Sequence, residues 1–191
     1  MEEVMARGPN FAYARDYIRK TYGEPVWNAV LTRLSRDDAE VWNAMLVPEG
    51  TYPFVSFKAM TRALSDHIGA NSAVELSRMY EHIADCSLNA LFKFILQAAS
   101  PAFVISQYPM LWSKFFTSGD VIVPVARKGY AELIFILPEV FLDWLPPACH
   151  GYSTKAVKLA GASDLEQKEL SCSRKMNGEW EIRYGLKWNE S

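Results

Sequence analysis

The chain has 191 residues, of which 50% are hydrophobic, 13% aromatic and 22% charged, and its formal net charge is −2. This composition predicts one folded domain with a substantial core and excludes a disordered chain. There is no basic stripe, which argues against nucleic-acid binding, and no stretch approaches the roughly 20 apolar residues that span a bilayer.

The N-terminal part of the chain has helical periodicity. Apolar residues predict a helix over residues 11–22 that ends at Gly23, and a second helix follows directly. A third, short helix is predicted over residues 36–46, after the N-cap residue Ser35. Residues 48–53 are predicted to form a turn or a short extended link.

Helical periodicity continues through the middle of the chain. Residues 57–68 repeat apolar side chains every three or four positions, and Gly69 is predicted to break that helix. Another helix follows, and its continuation over residues 88–96 is apolar around much of its circumference, which predicts a central position in a helical bundle. A last helix is predicted to begin at Ser100. Its inward side chains are Val104, Tyr108, Leu111, Trp112 and Phe115.

The apolar period changes from 3.6 to 2 after Gly119. Strands are predicted over residues 121–125 and 130–137, joined by a tight turn at Lys128-Gly129. A helix is then predicted from Pro147 to about Leu159.

The C-terminal residues predict a second hairpin. A strand over residues 165–174 is followed by Asn177-Gly178, the dipeptide that most favours a two-residue hairpin turn. Residues 180–188 then alternate apolar and polar side chains, which is typical of a strand with one buried face. The whole chain is therefore predicted to be a single α+β domain, with about six helices over residues 10–116 followed by β-β-α-β-β. The aromatic strand 180–188 is also a candidate face for self-association.

The residues that usually carry chemistry are few and scattered. Cys86, Cys149 and Cys172 are an odd number without tight spacing, which favours a reducing compartment and so the cytoplasm. His67 and His82 lie on different helical segments and belong to no metal-binding motif. Adjacent residues of a helix point about 100° apart, so Cys149 and its neighbour His150 are poorly placed to act as a thiolate–base pair. No phosphate-binding, dinucleotide-binding or hydrolase motif is present, so an enzyme is not expected.

Two segments resemble a known superfamily. The segment IRKTYGEPVWNAV (residues 18–30) ends a helix with a glycine and an acid and continues to a tryptophan. The segment GYSTKAVKLAGASDLEQKELSCSRKMNGEWEIRY (residues 151–184) combines a helix with a hairpin. Together with the order of the predicted helices and strands, these two segments resemble the superfamily of haem–nitric oxide-binding domains, 4-vinyl reductase domains and TRAPP vesicle-tethering subunits. Residues 52–188 also resemble an uncharacterised bacterial family of similar length.

The resemblance implies a haem site, but two features of this sequence depart from it. The haem domains ligate iron with a histidine on the helix before the first hairpin, and the position that matches it best here is Trp112, which cannot ligate iron. They hold the haem propionates with polar residues on the second strand, where this chain has Phe135 and Leu137. Haem binding is therefore not expected.

The resemblance also raises a zinc site, as found in some 4-vinyl reductase domains. Glu169 and Cys172 match the E-x-x-C motif of that site, and Cys149 lies near a third ligand position. Trp180 stands where the last cysteine would be. Because a stable zinc site usually needs four ligands, these weak candidates predict neither a metal nor any other cofactor.

The superfamily places an apolar cavity between its helices and its sheet. The residues that would line it here are Ile105, Tyr108, Leu111, Trp112, Phe115, Val123, Leu133 and Phe135. If they leave a cavity, they predict a haem-free sensory module that binds a small apolar ligand in signalling. If their bulk fills the space, the alternative is a protein-interaction or scaffold domain that binds a partner or itself.

Overall fold

The computed structural model describes residues 3–92 and 99–190, with side chains described at 3–88 and 99–190. Within these residues six helices precede the main sheet, and a further helix separates its two hairpins, which confirms the predicted α+β order. The helices are α1 (Gly8–Leu31), α2 (Arg36–Asn43), α3 (Phe54–Ile68), α4 (Ser72–Phe92), α5 (Pro101–Ser106), α6 (Tyr108–Phe115) and α7 (Leu145–Leu159). The strands are β1 (Met5–Arg7), β2 (Thr51–Pro53), β3 (Asp120–Arg127), β4 (Tyr130–Leu137), β5 (Ala162–Arg174) and β6 (Trp180–Glu190).

The predicted boundary at Gly23 is a kink inside α1. Gly23 has φ 80° and ψ 171°, which is not a helical conformation. That region of backbone space is essentially restricted to glycine. Pro25 follows it, and proline is well accommodated in the first turn of a helical segment because its missing N–H needs no partner there. The sequence therefore divides α1 into two helical segments at the predicted position.

Replacing Gly23 with alanine is expected to lower the free energy of unfolding by about 1–3 kcal/mol, because a Cβ atom disfavours this backbone conformation. The space itself would tolerate the methyl group, since the nearest atom, the Pro25 Cδ, would lie at 3.5 Å. Urea denaturation measures the change. The control is Asn28→Ala, an exposed position on the same helix, and an equal effect of both substitutions would contradict the backbone explanation.

The predicted helix from Ser100 is two helices. It breaks at Gln107, where the backbone has φ −83° and ψ −1°. Pro109 lies at the start of α6 and has no N–H with which to continue the hydrogen bonding of α5. Both pieces still direct their apolar side chains into the core, so the break changes the direction of the chain and not which face is buried.

A two-stranded sheet near the N-terminus was not predicted. β1 pairs antiparallel with β2, with Met5 opposite Pro53. Ala6 also bridges to Phe116, just after α6. Three-residue strands leave too short a pattern for periodicity to detect, although residues 48–53 were expected to be an extended link.

The main sheet is antiparallel with the strand order β3-β4-β6-β5. Its inner face carries alternate residues of β4 and β6, including Leu133 opposite Tyr184 and Phe135 opposite Ile182. Trp188 is also buried. The proposal that the aromatic side chains of β6 form a face for self-association is therefore wrong, because the hydrophobic effect has already placed these side chains in the core.

Both edge strands of this sheet are irregular. The β3 register shifts between Ile122 and Val125, where Pro124 lies, and the β5 register shifts twice. On the outer face, Ile122 and Leu170 are exposed. The sheet therefore has a regular, buried centre and irregular margins.

One continuous hydrophobic cluster joins the helices to the sheet. Leu88 is fully buried within it, in line with the central position predicted for the end of α4. The side chains predicted to continue this apolar surface, from Leu91 to Leu96, lie outside the described ones. Among the described residues, no helix combines the length and apolarity required to span a membrane.

Candidate functional site

A small apolar cavity lies between α4, α6, the beginning of α7 and β4. Its volume is about 60 Å³. The lining residues are Asn10, Tyr80, Ile83, Tyr108, Leu111, Trp112, Phe115, Phe116, Phe135, Trp144, Leu145, Ala148, Cys149 and Tyr152. Most of these side chains are aromatic or aliphatic, so the cavity suits an apolar molecule better than a charged one.

Aromatic rings determine how small the cavity is. The centroid of the Trp112 ring lies 4.4 Å from that of Phe116, 5.6 Å from that of Phe135 and 5.3 Å from that of Phe141. The Trp112 indole N–H donates a 3.1 Å hydrogen bond to the Ser118 carbonyl. This bond and the surrounding rings fix the orientation of Trp112, and its bulk occupies space that would otherwise belong to the cavity.

Five of the eight residues predicted to line a cavity do so: Tyr108, Leu111, Trp112, Phe115 and Phe135. Ile105 and Leu133 are fully buried in the core but do not line this cavity. Val123 is half-buried and also lies away from it, on the edge strand β3, whose register shifts between Ile122 and Val125.

The α4 and α7 side of the cavity was not predicted. Tyr80 and Ile83 come from α4, and Trp144 and Cys149 come from the region where α7 begins. The apolar periodicity predicted the helix that carries Tyr80 and Ile83. It gave no indication that they face α7, because that contact joins segments about 70 residues apart.

Two polar atoms of the cavity wall have no hydrogen-bond partner. These are the Tyr80 hydroxyl and the Trp144 indole nitrogen, both buried. Their rings are neighbours, with centroids 5.5 Å apart. Burial raises the pKa of Tyr80, and the nearby Trp144 indole only partly opposes this shift. Tyr80 is therefore a neutral phenol that can donate or accept a hydrogen bond, whereas Trp144 can only donate. Neither group bonds to any further residue of the wall, and the Trp144 N–H is the polar neighbour that opposes the rise in the pKa of Tyr80.

The remaining polar groups of the wall are paired with the protein. The Tyr108 hydroxyl bonds to the Ser153 hydroxyl, and the Tyr152 hydroxyl lies 3.0 Å from that of Ser87. Asn10 donates a 3.0 Å hydrogen bond to the Phe115 carbonyl. These bonds stabilise the packing of α1, α4, α6 and α7 around the cavity, and they leave Tyr80 and Trp144 as the two unpaired groups in this part of the described structure.

Cys149 and His150 have different partners. The Cys149 Sγ lies 3.9 Å from the Ser153 Oγ, and burial raises the pKa of this thiol to about 12. The His150 Nδ1 lies 2.9 Å from the Ser77 Oγ on α4. Because the thiolate is the reactive form of cysteine, Cys149 is an apolar wall residue at neutral pH.

The three weak metal candidates come from two elements, since Cys149 lies on α7 and both Glu169 and Cys172 lie on β5. Glu169 is opposite Tyr184 in the sheet, and burial, mainly, and then Cys149, Glu169 and Cys172 raise the pKa of Tyr184. Cys149 is buried, but Cys172 lies on the exposed strand β5, and burial together with Glu169 raises its pKa. Within residues 3–92 and 99–190, no group of three histidine, cysteine or acidic side chains is arranged to hold a metal ion.

Comparison with known proteins supports the fold. No family model matches the chain, and no curated protein sequence matches it. Solved structures of H-NOX proteins do match it. An Fe(II) unliganded H-NOX protein from K. algicida is 13% identical, with 97% of each chain covered and a TM-score of 0.72. An oxygen-binding H-NOX domain related to soluble guanylate cyclases, solved as its oxygen complex, is 11% identical, with 95% of this chain and 94% of that chain covered and a TM-score of 0.69. The predicted haem–nitric oxide-binding fold is therefore confirmed, and identities this low show the fold alone.

The cavity residues do not fit a haem. Pockets for ligands and cofactors usually have volumes of about 300–1,000 Å³, several times the volume of this cavity. Among the residues with described side chains, no histidine, lysine or arginine lines the cavity. Burial raises the pKa of Tyr80, Tyr108 and Tyr152, so these phenols are neutral, and Cys149 is a neutral thiol. A haem iron would need a ligand that none of these groups supplies in the required form.

Proposed function

We propose that this chain is a haem-free sensory module that binds a small, mainly apolar molecule in signalling, and that it is not an enzyme. The observation that carries the proposal is the apolar cavity, whose wall includes the Tyr80 hydroxyl and the Trp144 N–H as polar groups that bond to no further residue. A fully packed core would leave no volume there. The Tyr80 hydroxyl and the Trp144 N–H select a ligand with one hydrogen-bond acceptor, such as a carbonyl oxygen.

The volume of the cavity limits the size of this ligand. One water molecule takes about 30 Å³ in the liquid, so a volume of about 60 Å³ holds a molecule of only a few heavy atoms unless the wall moves. Acetone is a suitable probe, because it has a carbonyl oxygen and two methyl groups. Isobutene has nearly the same shape without the acceptor, which makes it the matched control ligand.

Acetone is expected to bind with one-to-one saturation and to shift the indole N–H resonance of Trp144 in an NMR titration. Trp144→Phe removes that resonance and so identifies it. The same variant should weaken acetone binding by about fivefold, which corresponds to the net free energy of one ordinary hydrogen bond. Isobutene should bind wild type and Trp144→Phe equally. Equal affinity of acetone for both proteins would contradict the assigned role of the indole.

A second variant tests the position of the site. Ala148→Val fills the cavity from α7 and should abolish binding of acetone, whereas Ala126→Val makes the same chemical change at an exposed position on β3. If neither probe binds the wild-type protein, the proposed function is wrong.

Haem provides an independent test. Adding haemin to the purified protein is expected to give no sharp Soret band at one-to-one stoichiometry. Trp112→His, which introduces a possible iron ligand at the position suggested by the resemblance, should also give none, because the space is missing as well as the ligand. A stoichiometric, saturable Soret band with the wild-type protein would contradict the proposal.

The alternative function is a protein-interaction domain, and the outer face of the main sheet favours it. Ile122 and Leu170 are exposed there, on the two opposite edge strands, so a partner that contacts both would cover the whole outer face. If the protein instead forms a dimer in light scattering that Ile122→Ser and Leu170→Ser disrupt, while acetone fails to bind, this alternative is preferred.

A further inference from the structure

A groove on the surface lies next to the internal cavity. Its volume is about 440 Å³, and it runs between one face of α3 and the segment that leads into α7. Its lining residues are Val55, Lys58, Ala59, Thr61, Arg62, Ser65, Asp66, Leu76, Val140, Asp143, Trp144 and Pro147. Unlike the cavity, this groove has the volume of an ordinary small-molecule site.

Trp144 lines both the groove and the cavity. Its ring packs against those of Phe54 and Phe116, with centroids 5.1 and 5.4 Å away. Its indole N–H faces the Tyr80 hydroxyl and opposes the rise in the pKa of that group, so the ring is held by aromatic packing and by this polar neighbour. Because Trp144 is the partition between the two spaces, a rotation of this one side chain would join them.

Two cations of α3 hold the segment that carries Trp144. Lys58 bonds to one carboxylate oxygen of Asp143 and also donates a 2.7 Å hydrogen bond to the Val140 carbonyl. Arg62 lies 3.5 Å from the other Asp143 oxygen. Asp143 directly precedes Trp144, so the position of the indole depends on this ion-pair cluster. The pKa of Asp143 is lowered overall. Burial alone would raise it, but the hydrogen bond and charge of Lys58, and then the charge of Arg62, outweigh that effect.

The cluster has one positive charge more than its carboxylate balances. Arg62 makes one long contact and its side chain is 75% exposed, which leaves most of its guanidinium donors accessible. The other acid of the groove, Asp66, lies one helical turn beyond Arg62 on α3, and no ion pair joins it to that arginine within the described contacts. The lining as a whole therefore carries two cations and two acids, but Asp143 is the acid that pairs with both Lys58 and Arg62, so an anionic group that took its place would meet both cations.

We propose that the groove and the cavity are two compartments of one site for a short- to medium-chain carboxylic acid, with the carboxylate on Lys58 and Arg62 and the apolar chain passing Trp144 into the cavity. The ligand carboxylate takes the place of Asp143, which releases the segment that holds the indole. This inference rests on the proposed function, since it assigns the ligand class and the entrance of the same cavity.

Hexanoate and 1-hexanol, which differ in charge but little in apolar chain, test the inference by NMR titration of the wild-type protein. Hexanoate should bind more tightly than hexanol and should compete with acetone for the cavity. Arg62→Gln should weaken hexanoate binding by about fivefold, the upper range for an exposed ion pair, without changing hexanol. Arg36→Gln on α2, an exposed arginine far from the groove, should change neither.

Asp143→Asn is expected to change hexanoate affinity in the opposite direction. Removing the competing carboxylate should strengthen hexanoate binding, again by about fivefold, and leave hexanol unchanged. A general loss of structure could weaken binding in any variant but could not produce this selective gain.

The outcomes separate the inference from the proposed function. Acetone binding without hexanoate binding would overturn the inference and leave the function standing, and failure of both probes would overturn both. Equal affinities of hexanoate and hexanol would exclude an anionic ligand. If hexanoate binds without displacing acetone, hexanoate occupies the groove alone, and a two-compartment site is excluded.

Discussion

Trp112→Ala is expected to lower the free energy of unfolding by about 3–5 kcal/mol, the usual range for truncation of a buried tryptophan. Trp112 is 8% exposed and packs against Phe116, Phe135 and Phe141. The variant loses these contacts, and it also removes the donor that pairs with the Ser118 carbonyl. Urea denaturation followed by circular dichroism measures the change.

The same substitution should create a binding site. The indole lines the existing cavity, so its removal enlarges a space that is already open and apolar. Engineered apolar cavities of about 150 Å³ bind benzene, and a ligand at one hundred times its Kd stabilises a protein by about 2.7 kcal/mol. Benzene should therefore recover a large part of the stability of Trp112→Ala and have little effect on wild type.

Trp42→Ala is the matched control. Trp42 is fully buried and its indole donates a 2.9 Å hydrogen bond to the Ser56 carbonyl, but it does not line the cavity. This variant should lose a similar amount of stability and gain less from benzene. If benzene stabilises Trp112→Ala no more than it stabilises wild type, the position assigned to the cavity is wrong.

Gly151→Ala is expected to lower the free energy of unfolding by roughly 2–3 kcal/mol, although alanine alone would favour a helix by about 1 kcal/mol. A Cβ atom at Gly151 would lie 2.1 Å from the Ser77 carbonyl oxygen and 3.0 Å from the Tyr80 Cβ. The first of these atoms belongs to the backbone of α4 and cannot rotate away. The two helices must therefore separate.

This separation has a consequence that stability alone would not reveal. Tyr80 on α4 and Ala148 on α7 face each other across the cavity, so the variant should also change acetone affinity. Lys158→Ala, at an exposed position of the same helix, should change neither property. A Gly151→Ala protein as stable as wild type would show that α4 and α7 approach less closely than described.

Local sequence patterns predicted the elements of this fold well. The helix boundary at Gly23 and the alternation along β6 each depend on a few neighbouring residues, and both predictions are confirmed, the first as a kink inside α1. The split between α5 and α6 was missed, because the apolar face continues through the break and Pro109 was not given weight. The pairing of β1 with β2 was missed because it joins two very short segments nearly 50 residues apart.

The candidate site was predictable only in part, for a related reason. Residues of α6 and β4 were assigned to a cavity because the superfamily resemblance places those elements there, and five of them line it. Trp144 could not be found in this way, since it lies in an irregular link whose path depends on Lys58 and Asp143. Its unpaired N–H is a property of three-dimensional packing that no spacing in the sequence records.

The irregular margins of the main sheet bear on how the protein behaves at high concentration. Regular free edges invite strands of other molecules to add, and that is a common route to fibrils. Here Pro124 interrupts one edge, while two register shifts and the charged Lys168 interrupt the other. The exposed Ile122 and Leu170 can therefore remain at the surface without leading to intermolecular β-aggregation, and regularising either margin should make this protein prone to form fibres.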